Sequence, residues 1–303
     1  MNNCQLQLAN LAGYGCLTTR IAAFSLPHLF LVATAFAADA TAEQGSGFLS
    51  NWLDNVTRTQ ELQPHWESLL GMSSPRLTQG FRYGYGQQYL HDGSILTNNG
   101  MGKGVELIVG ENCEVQIGVP AYMDKQGTKT ASSGWADETF LGRYRFLAAN
   151  EENGNYIISG SLGLSIPTGN AQFSSHSTVL TPTLAAGKGW GTRQHGFNMQ
   201  SSLSMSVPDH NQSTMGMPIS WSTALQGHIT QEFWPEIDAS YSHWFKGVND
   251  GKNQLVLTYG MVFGRFGIKS REKLTFGIGY QEPIGTKFST YTRGWISTLK
   301  LSF

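Results

Sequence analysis

Polar and charged side chains spaced two residues apart recur through this chain: Glu114-Val115-Gln116, Arg143-Tyr144-Arg145, Gln226-Gly227-His228 and Glu236-Ile237-Asp238. Glu106 and Lys300 stand singly between apolar neighbours, and Asn198 and Gln200 repeat the pattern with amides. On a strand, residues i and i+2 share a face, so each pair delivers two polar groups to one side while the residue between them faces the other. Such a set can line a passage and sort solutes by charge. It can also knit carboxylates to guanidiniums inside a wall, because groups withdrawn from water need partners. It is a poor set for covalent or metal chemistry. The eight histidines show no HxxxH or clustered ligand spacing. Gly100-Met101-Gly102-Lys103-Gly104 and Gly187-Lys188-Gly189-Trp190-Gly191 lack the helix start and the Ser or Thr of a phosphate cradle. His243 shares parity with the apolar Tyr241 and Phe245, as an outward-facing lipase histidine would, but it has no convincing serine partner. No catalytic residue, cofactor or metal is expected, and the chain is not expected to be an enzyme.

The elements that carry these residues are strands. From Arg76 onward the apolar period is two. Leu77, Phe81, Tyr83, Tyr85 and Tyr89 share parity, as do Val105, Leu107 and Val109, then Val115, Ile117 and Val119. The pattern continues through segments such as 156–166, 197–207, 255–263 and 274–280 to Trp295, Ser297, Leu299, Leu301 and Phe303, giving about twelve strands. Connections alternate in length. Gly110-Glu111-Asn112, Glu151-Glu152-Asn153-Gly154 and Thr230-Gln231-Glu232 are short, whereas 91–101, 123–134, 168–177 and 208–217 are longer and polar. An even strand count, one apolar face, and short turns at one end with long loops at the other describe an all-β, antiparallel up-and-down transmembrane barrel with both termini in the periplasm. Its partner is the lipid bilayer of the outer membrane. A twelve-stranded barrel falls between those filled by side chains and those with wide channels, so a narrow pore is expected. The expected pore-lining residues are Glu106, Glu114, Gln116, Arg143, Arg145, Gln226, His228, Glu236, Asp238 and Lys300, with the alternative that Arg143 and Arg145 simply pair with the lumen carboxylates.

Bulk composition agrees. Only 14% of the 303 residues are charged, 12% are aromatic and 36 are Gly, and the net charge of −1 offers nucleic acid no basic surface. Residues 21–37 form an apolar run ending Ala35-Phe36-Ala37, the pattern of a cleaved secretory signal peptide. The expected organisation is therefore a signal peptide over 1–37, an N-terminal periplasmic segment over 38–75 and an outer-membrane barrel over 76–303. In the middle segment Phe48, Leu49, Trp52, Leu53 and Val56 recur at helical spacing, and Pro64 divides them from a second short helical piece around His65 to Leu70. This segment either folds into the periplasmic mouth, lies along the membrane, or precedes the barrel as a loose leader. Without the signal, Cys113 is the remaining cysteine, so no disulfide framework is available.

Ala136-Asp137-Glu138-Thr139-Phe140-Leu141-Gly142-Arg143-Tyr144-Arg145, Leu162-Gly163-Leu164-Ser165-Ile166-Pro167-Thr168-Gly169 and Leu203-Ser204-Met205-Ser206-Val207-Pro208 resemble a bacterial outer-membrane transporter family named for the meta-pathway of phenol degradation. The resemblance covers the strand region, although Asp209 follows Pro208 where Thr-Gly would repeat the motif. It implies passive passage of small hydrophobic or aromatic compounds, and brings no binding residues with it. The alternative is a closed barrel with a structural, adhesive or phospholipase-like role. Tyr291, Trp295 and Phe303 are expected in the aromatic girdles, and the ending Leu299, Leu301, Phe303 resembles the signal by which outer-membrane assembly machinery recognises its clients.

Overall fold

A computed structural model of the protein describes residues 47–127, 131–285 and 288–303; the expected signal peptide lies outside these. The period-two stretches form one antiparallel sheet. Its segments are β1 (Gly80–Tyr89), β2 (Ile95–Asn99), β3 (Gly104–Gly110), β4 (Cys113–Gly118), β5 (Tyr122–Gln126), β6 (Ser132–Trp135), β7 (Glu138–Ala149) and β8 (Tyr156–Ile166). They continue as β9 (Val179–Gly191), β10 (Gly196–Met205), β11 (Val207–Pro208), β12 (Met217–His228), β13 (Phe233–Phe245), β14 (Asn253–Gly267), β15 (Lys273–Ile284) and β16 (Arg293–Ser302). Two helices are described, α1 (Phe48–Glu61) and the single turn α2 (Gln212–Met215). β2 continues into β3, β4 into β5, β6 into β7 and β10 into β11. The wall is therefore a closed barrel of twelve strands, sealed where β16 pairs with β1 from Gly80↔Ser302 to Tyr89↔Arg293. Closure removes both sheet edges. Among the described residues no helix is long and apolar enough to cross a membrane; the strands cross it.

Strand parity divides the side chains sharply. Trp221 is 61% exposed and Leu184 56% on the outer face, while Gln200 and Gln226 are fully buried inside. An apolar exterior with a polar interior is stable only with lipid outside. Aromatic pairs gather near the two rims of that exterior. Trp190 with Phe197 and Phe233 with Phe263 lie toward the short turns, and Tyr280 with Trp295 and Tyr122 with Trp135 toward the long loops.

The structure corrects three local expectations. The first strand begins at Gly80, so Leu77 does not face lipid but is fully buried with Val56 and Ile108 inside the mouth. Residues 91–101 and 123–134 are not simply loops, because β2, β5 and β6 extend the wall beyond a shared interruption. There, Tyr83 and Gly84 face the four residues 100–103, an inserted bulge that Gly100 (φ 101°) and Gly102 (φ 61°) permit. The bulge turns inward: a Cβ on Gly84 would lie 2.2 Å from the Met101 carbonyl oxygen, so only glycine admits it. Finally, no helix forms over residues 65–70, where the backbone donates to wall carboxylates instead of to itself.

Candidate functional site

Helix α1 forms because its apolar residues recur every three to four positions, and it ends before Pro64. Its inner face brings Trp52 and Val56 against Ile108, with the Trp52 indole N–H donating to the Ile108 carbonyl at 2.6 Å. The chain then runs from Gln63 to Gln79 through the short-turn half of the lumen. Gln63 locks the two ends of this run together, exchanging hydrogen bonds with the Leu77 backbone at 2.7 and 3.0 Å. The segment is a plug, and the inward polar residues are its fasteners.

Glu236 Oε1 accepts the Leu70 backbone N–H at 2.7 Å, and Asp238 Oδ2 accepts that of Gly71 at 2.9 Å. Gln226 steadies Glu236 at 2.9 Å and is itself bonded by Asn198 at 3.3 Å. Glu106 accepts from the Thr78 hydroxyl at 2.6 Å and from the Lys300 ammonium at 2.7 Å, and that ammonium also reaches Ser68 Oγ at 3.3 Å. Arg143 donates to Glu114 at 2.8 Å, to the Arg76 carbonyl at 2.8 Å and to Ser73 Oγ at 2.9 Å; Glu114 also accepts the Thr78 N–H. Arg145 holds the helix, with bonds to the Thr59 carbonyl at 2.8 Å and to the Glu111–Asn112 turn. Pairing of the arginines with wall and plug acceptors is thus the observed arrangement. Gln116 is half-buried in register with Glu106 and takes no part in fastening. His228 stacks on Trp234 with ring centroids 3.6 Å apart.

Residues outside the expected set complete the site. Glu151, in the turn between β7 and β8, accepts both the His65 backbone N–H at 2.6 Å and its Nδ1 at 2.8 Å. Burial opposes the charge on Glu151, but the two bonds from His65 outweigh it and hold the carboxyl at about 2. Asn155 accepts the Trp66 indole N–H at 3.0 Å. Arg265 donates to the carbonyls of His65 and Trp66 at 2.8 and 2.9 Å and pairs with Glu67. Parity hides Arg265 in the sequence: it shares the odd numbering of the outward Met261 and Phe263, but a bulge between Gly264 and Phe266 resets the register and turns it inward. Glu151 and Asn155 sit in a turn, where no periodicity identifies a facing direction.

Among these fasteners the lumen also holds apolar side chains. Trp66 and Leu70 of the plug pack with Ile157, Trp234, Val262 and Ile296 of the wall, and Met101 from the bulge packs against the same cluster. Beyond it, toward the long loops, the inner face is hydroxyl-lined, with Ser220 bonded to Ser242 at 2.7 Å and Ser222 to Ser240 at 2.8 Å. Trp295 is outward-facing, its ring edge-on to Tyr280 at 5.0 Å, and Phe303 sits partly exposed at the opposite rim. Tyr291 does not belong to the girdle: it is only 6% exposed, and burial raises its phenol to about 12. It precedes β16, where strand parity no longer governs direction. His243 is hydrogen-bonded to Asn253 at 2.6 Å, and the serines of the adjoining positions, Ser220 and Ser242, point to the opposite face and bond each other.

No family model and no curated protein matches the chain. Among solved structures, an outer membrane channel from Pseudomonas putida F1 is similar in fold, with a TM-score of 0.52, 13% identity, and coverage of 78% of this chain and 98% of that one. The NanC porin aligns with a TM-score of 0.46 and 10% identity over 75% of this chain and 99% of that one. The Acinetobacter baumannii outer membrane protein Omp33 gives 0.34 and 9%, over 75% and 99%. The first likeness places the chain among outer-membrane barrels by fold, in agreement with its lipid-facing surface.

Proposed function

We propose that this protein is an outer-membrane channel for passive passage of small molecules, closed at rest by its own residues 63–79. The carrying observation is how the plug is held. Its fasteners are mainly hydrogen bonds between plug backbone and wall side chains, at Leu70, Gly71 and Thr78, together with guanidinium bonds to plug carbonyls at Arg76 and Trp66. Each such bond contributes roughly 0.5–3 kcal/mol net and can be exchanged for water when the segment leaves, alongside the apolar contacts that Trp66, Leu69, Leu70, Met72 and Leu77 make inside the barrel. The expected pore-lining residues become lining once the plug leaves. The apolar wall residues that remain when the plug leaves, Ile157, Trp234, Val262, Ile296 and Met101, lie below a hydroxyl-lined vestibule and suit small uncharged or aromatic solutes better than hydrated ions, which supports the substrate class implied by the family resemblance.

The opposing reading, a permanently closed barrel, draws on the same plug. Planar-bilayer recording separates the two. The channel reading expects small, infrequent openings for the full chain and sustained conductance, with uptake of a neutral aromatic solute into liposomes, when residues 48–75 are deleted. A folded, inserted deletion variant that passes neither ions nor solute would refute it.

A further inference from the structure

Below the plug, at the short-turn mouth, lies a cavity of about 260 Å³. It is bounded by α1, by the plug on either side of its lumenal run, by the turn after β9, by the β14–β15 turn and by the end of β16. Its walls are unbalanced in charge. Arg76, Arg193, Arg265, Arg271, Lys273 and Lys300 line it against the side-chain carboxylates of Glu61 and Glu67, with Phe303 also on its wall. Three of the cations are engaged: Lys300 with Glu106 at 2.7 Å, Arg265 with Glu67, and Arg193 with Glu61 at 3.6 Å. Arg76, Arg271 and Lys273 have no carboxylate within 4 Å among the described residues.

Arg76 makes this more than a solvated basic rim. It is 7% exposed, donates through Nη1 to the Trp66 carbonyl, and leaves its buried Nε without a partner. A guanidinium carries five N–H donors and cannot shed its charge, and a buried cation without an anion is costly. Burial, and then the neighbouring Arg265, lower Arg76 to about 10, and the more distant carboxylates of Glu67, Glu151 and Glu114 offset only part of that cost. Arg271 is pre-positioned by bonds to the Leu53 carbonyl at 3.1 Å and Thr57 Oγ1 at 3.0 Å, which fix the β14–β15 turn over the cavity. The cavity lies just below the 300–1,000 Å³ typical of drug-sized ligands, so its occupant is fragment-sized.

We propose that this cleft binds an oxyanion, the carboxylate of a small organic acid or a phosphate group, between Arg76, Arg271 and Lys273. The site does not depend on the channel being open, since a permanently plugged barrel would contain it equally. Phosphate chemistry could come from free solute or from the headgroup of an inner-leaflet phospholipid, and one set of variants distinguishes them. The full chain in a neutral detergent is titrated calorimetrically with benzoate and with inorganic phosphate. In parallel, native mass spectrometry measures retention of phosphatidylglycerol against phosphatidylcholine. Lys273→Gln and Arg271→Gln are the variants of choice, because Arg76 lies too deep to change without risk to folding. Saturable binding of either free anion, weakened about tenfold by each substitution as expected for loss of a charge-assisted bond, supports a solute site. Selective retention of phosphatidylglycerol that both substitutions abolish supports the same site filled by a headgroup. Absence of both, or binding that neither substitution alters, overturns the proposal.

Discussion

Gly71→Ala tests the plug without substituting a wall residue. Gly71 does not need glycine for its backbone, since its φ is not in the positive region. It needs glycine for proximity: a Cβ there would stand 2.4 Å from Asp238 Oδ2 and 3.0 Å from Thr258 Oγ1. The first contact is too short to exist, so the Asp238 carboxyl must swing aside and give up the Gly71 N–H it now holds at 2.9 Å. The loss is one hydrogen bond to a carboxylate, about 1–3 kcal/mol, borne only by the plugged state. At 1.4 kcal/mol per factor of ten, the released population rises by about 5-fold to 140-fold. Two readouts follow it: open probability in planar bilayers, and cleavage within residues 63–79 by a protease added to reconstituted barrels. Gly142→Ala is the control, because Gly142 lies in the wall with nothing within 4 Å of a Cβ. Wild-type conductance and wild-type cleavage in Gly71→Ala would refute the claim that the Asp238 contact helps hold the plug.

Glu151 gives the plug an acid limb. Its carboxyl sits at about 2 in the folded protein, below its ordinary value of 4.5, so its contribution is complete above about 4.5 and fades as pH falls toward about 2. Trp66, one residue from His65, should change fluorescence across that window, and Glu151→Gln should remove that part of the transition; an unchanged profile in the variant would exclude the His65 clasp. Arg143→Ala strands the fully buried Glu114 and should cost about 3–5 kcal/mol, read as a lower unfolding temperature, and should move a plug-deleted channel toward cation selectivity. Unaltered selectivity would count against Arg143 lining the pore. Deleting Phe303 should slow insertion by the assembly machinery more than it loosens the finished barrel, and normal assembly of the shortened chain would defeat that proposal.

The wall was legible in the sequence because lipid enforces it. Each outward position faces hydrocarbon, so parity alone assigns Glu236 and Asp238 inside and Ile237 outside, and a single-residue slip would reverse the whole strand. Legibility fails wherever the count of two is broken. The bulge at 264–266 turns Arg265 inward, the inserted residues 100–103 send Met101 into the lumen, and Tyr291 lies ahead of its strand. Entry of the N-terminal segment into the mouth was one of three readings the sequence left open, but the path of the plug was out of reach for a different reason. Residues 63–79 have no period, because their direction is set one bond at a time by acceptors as far away in sequence as Glu236 and Asp238. The same carboxylates were readable as inward-facing and unreadable as occupied. A polar lumen face in a barrel of this size therefore carries two meanings at once: groups that would border a passage are also groups that, withdrawn from water, will capture any backbone the chain can offer. Here the chain offers its own N-terminal segment, and how firmly the lumen holds it is what Gly71→Ala measures.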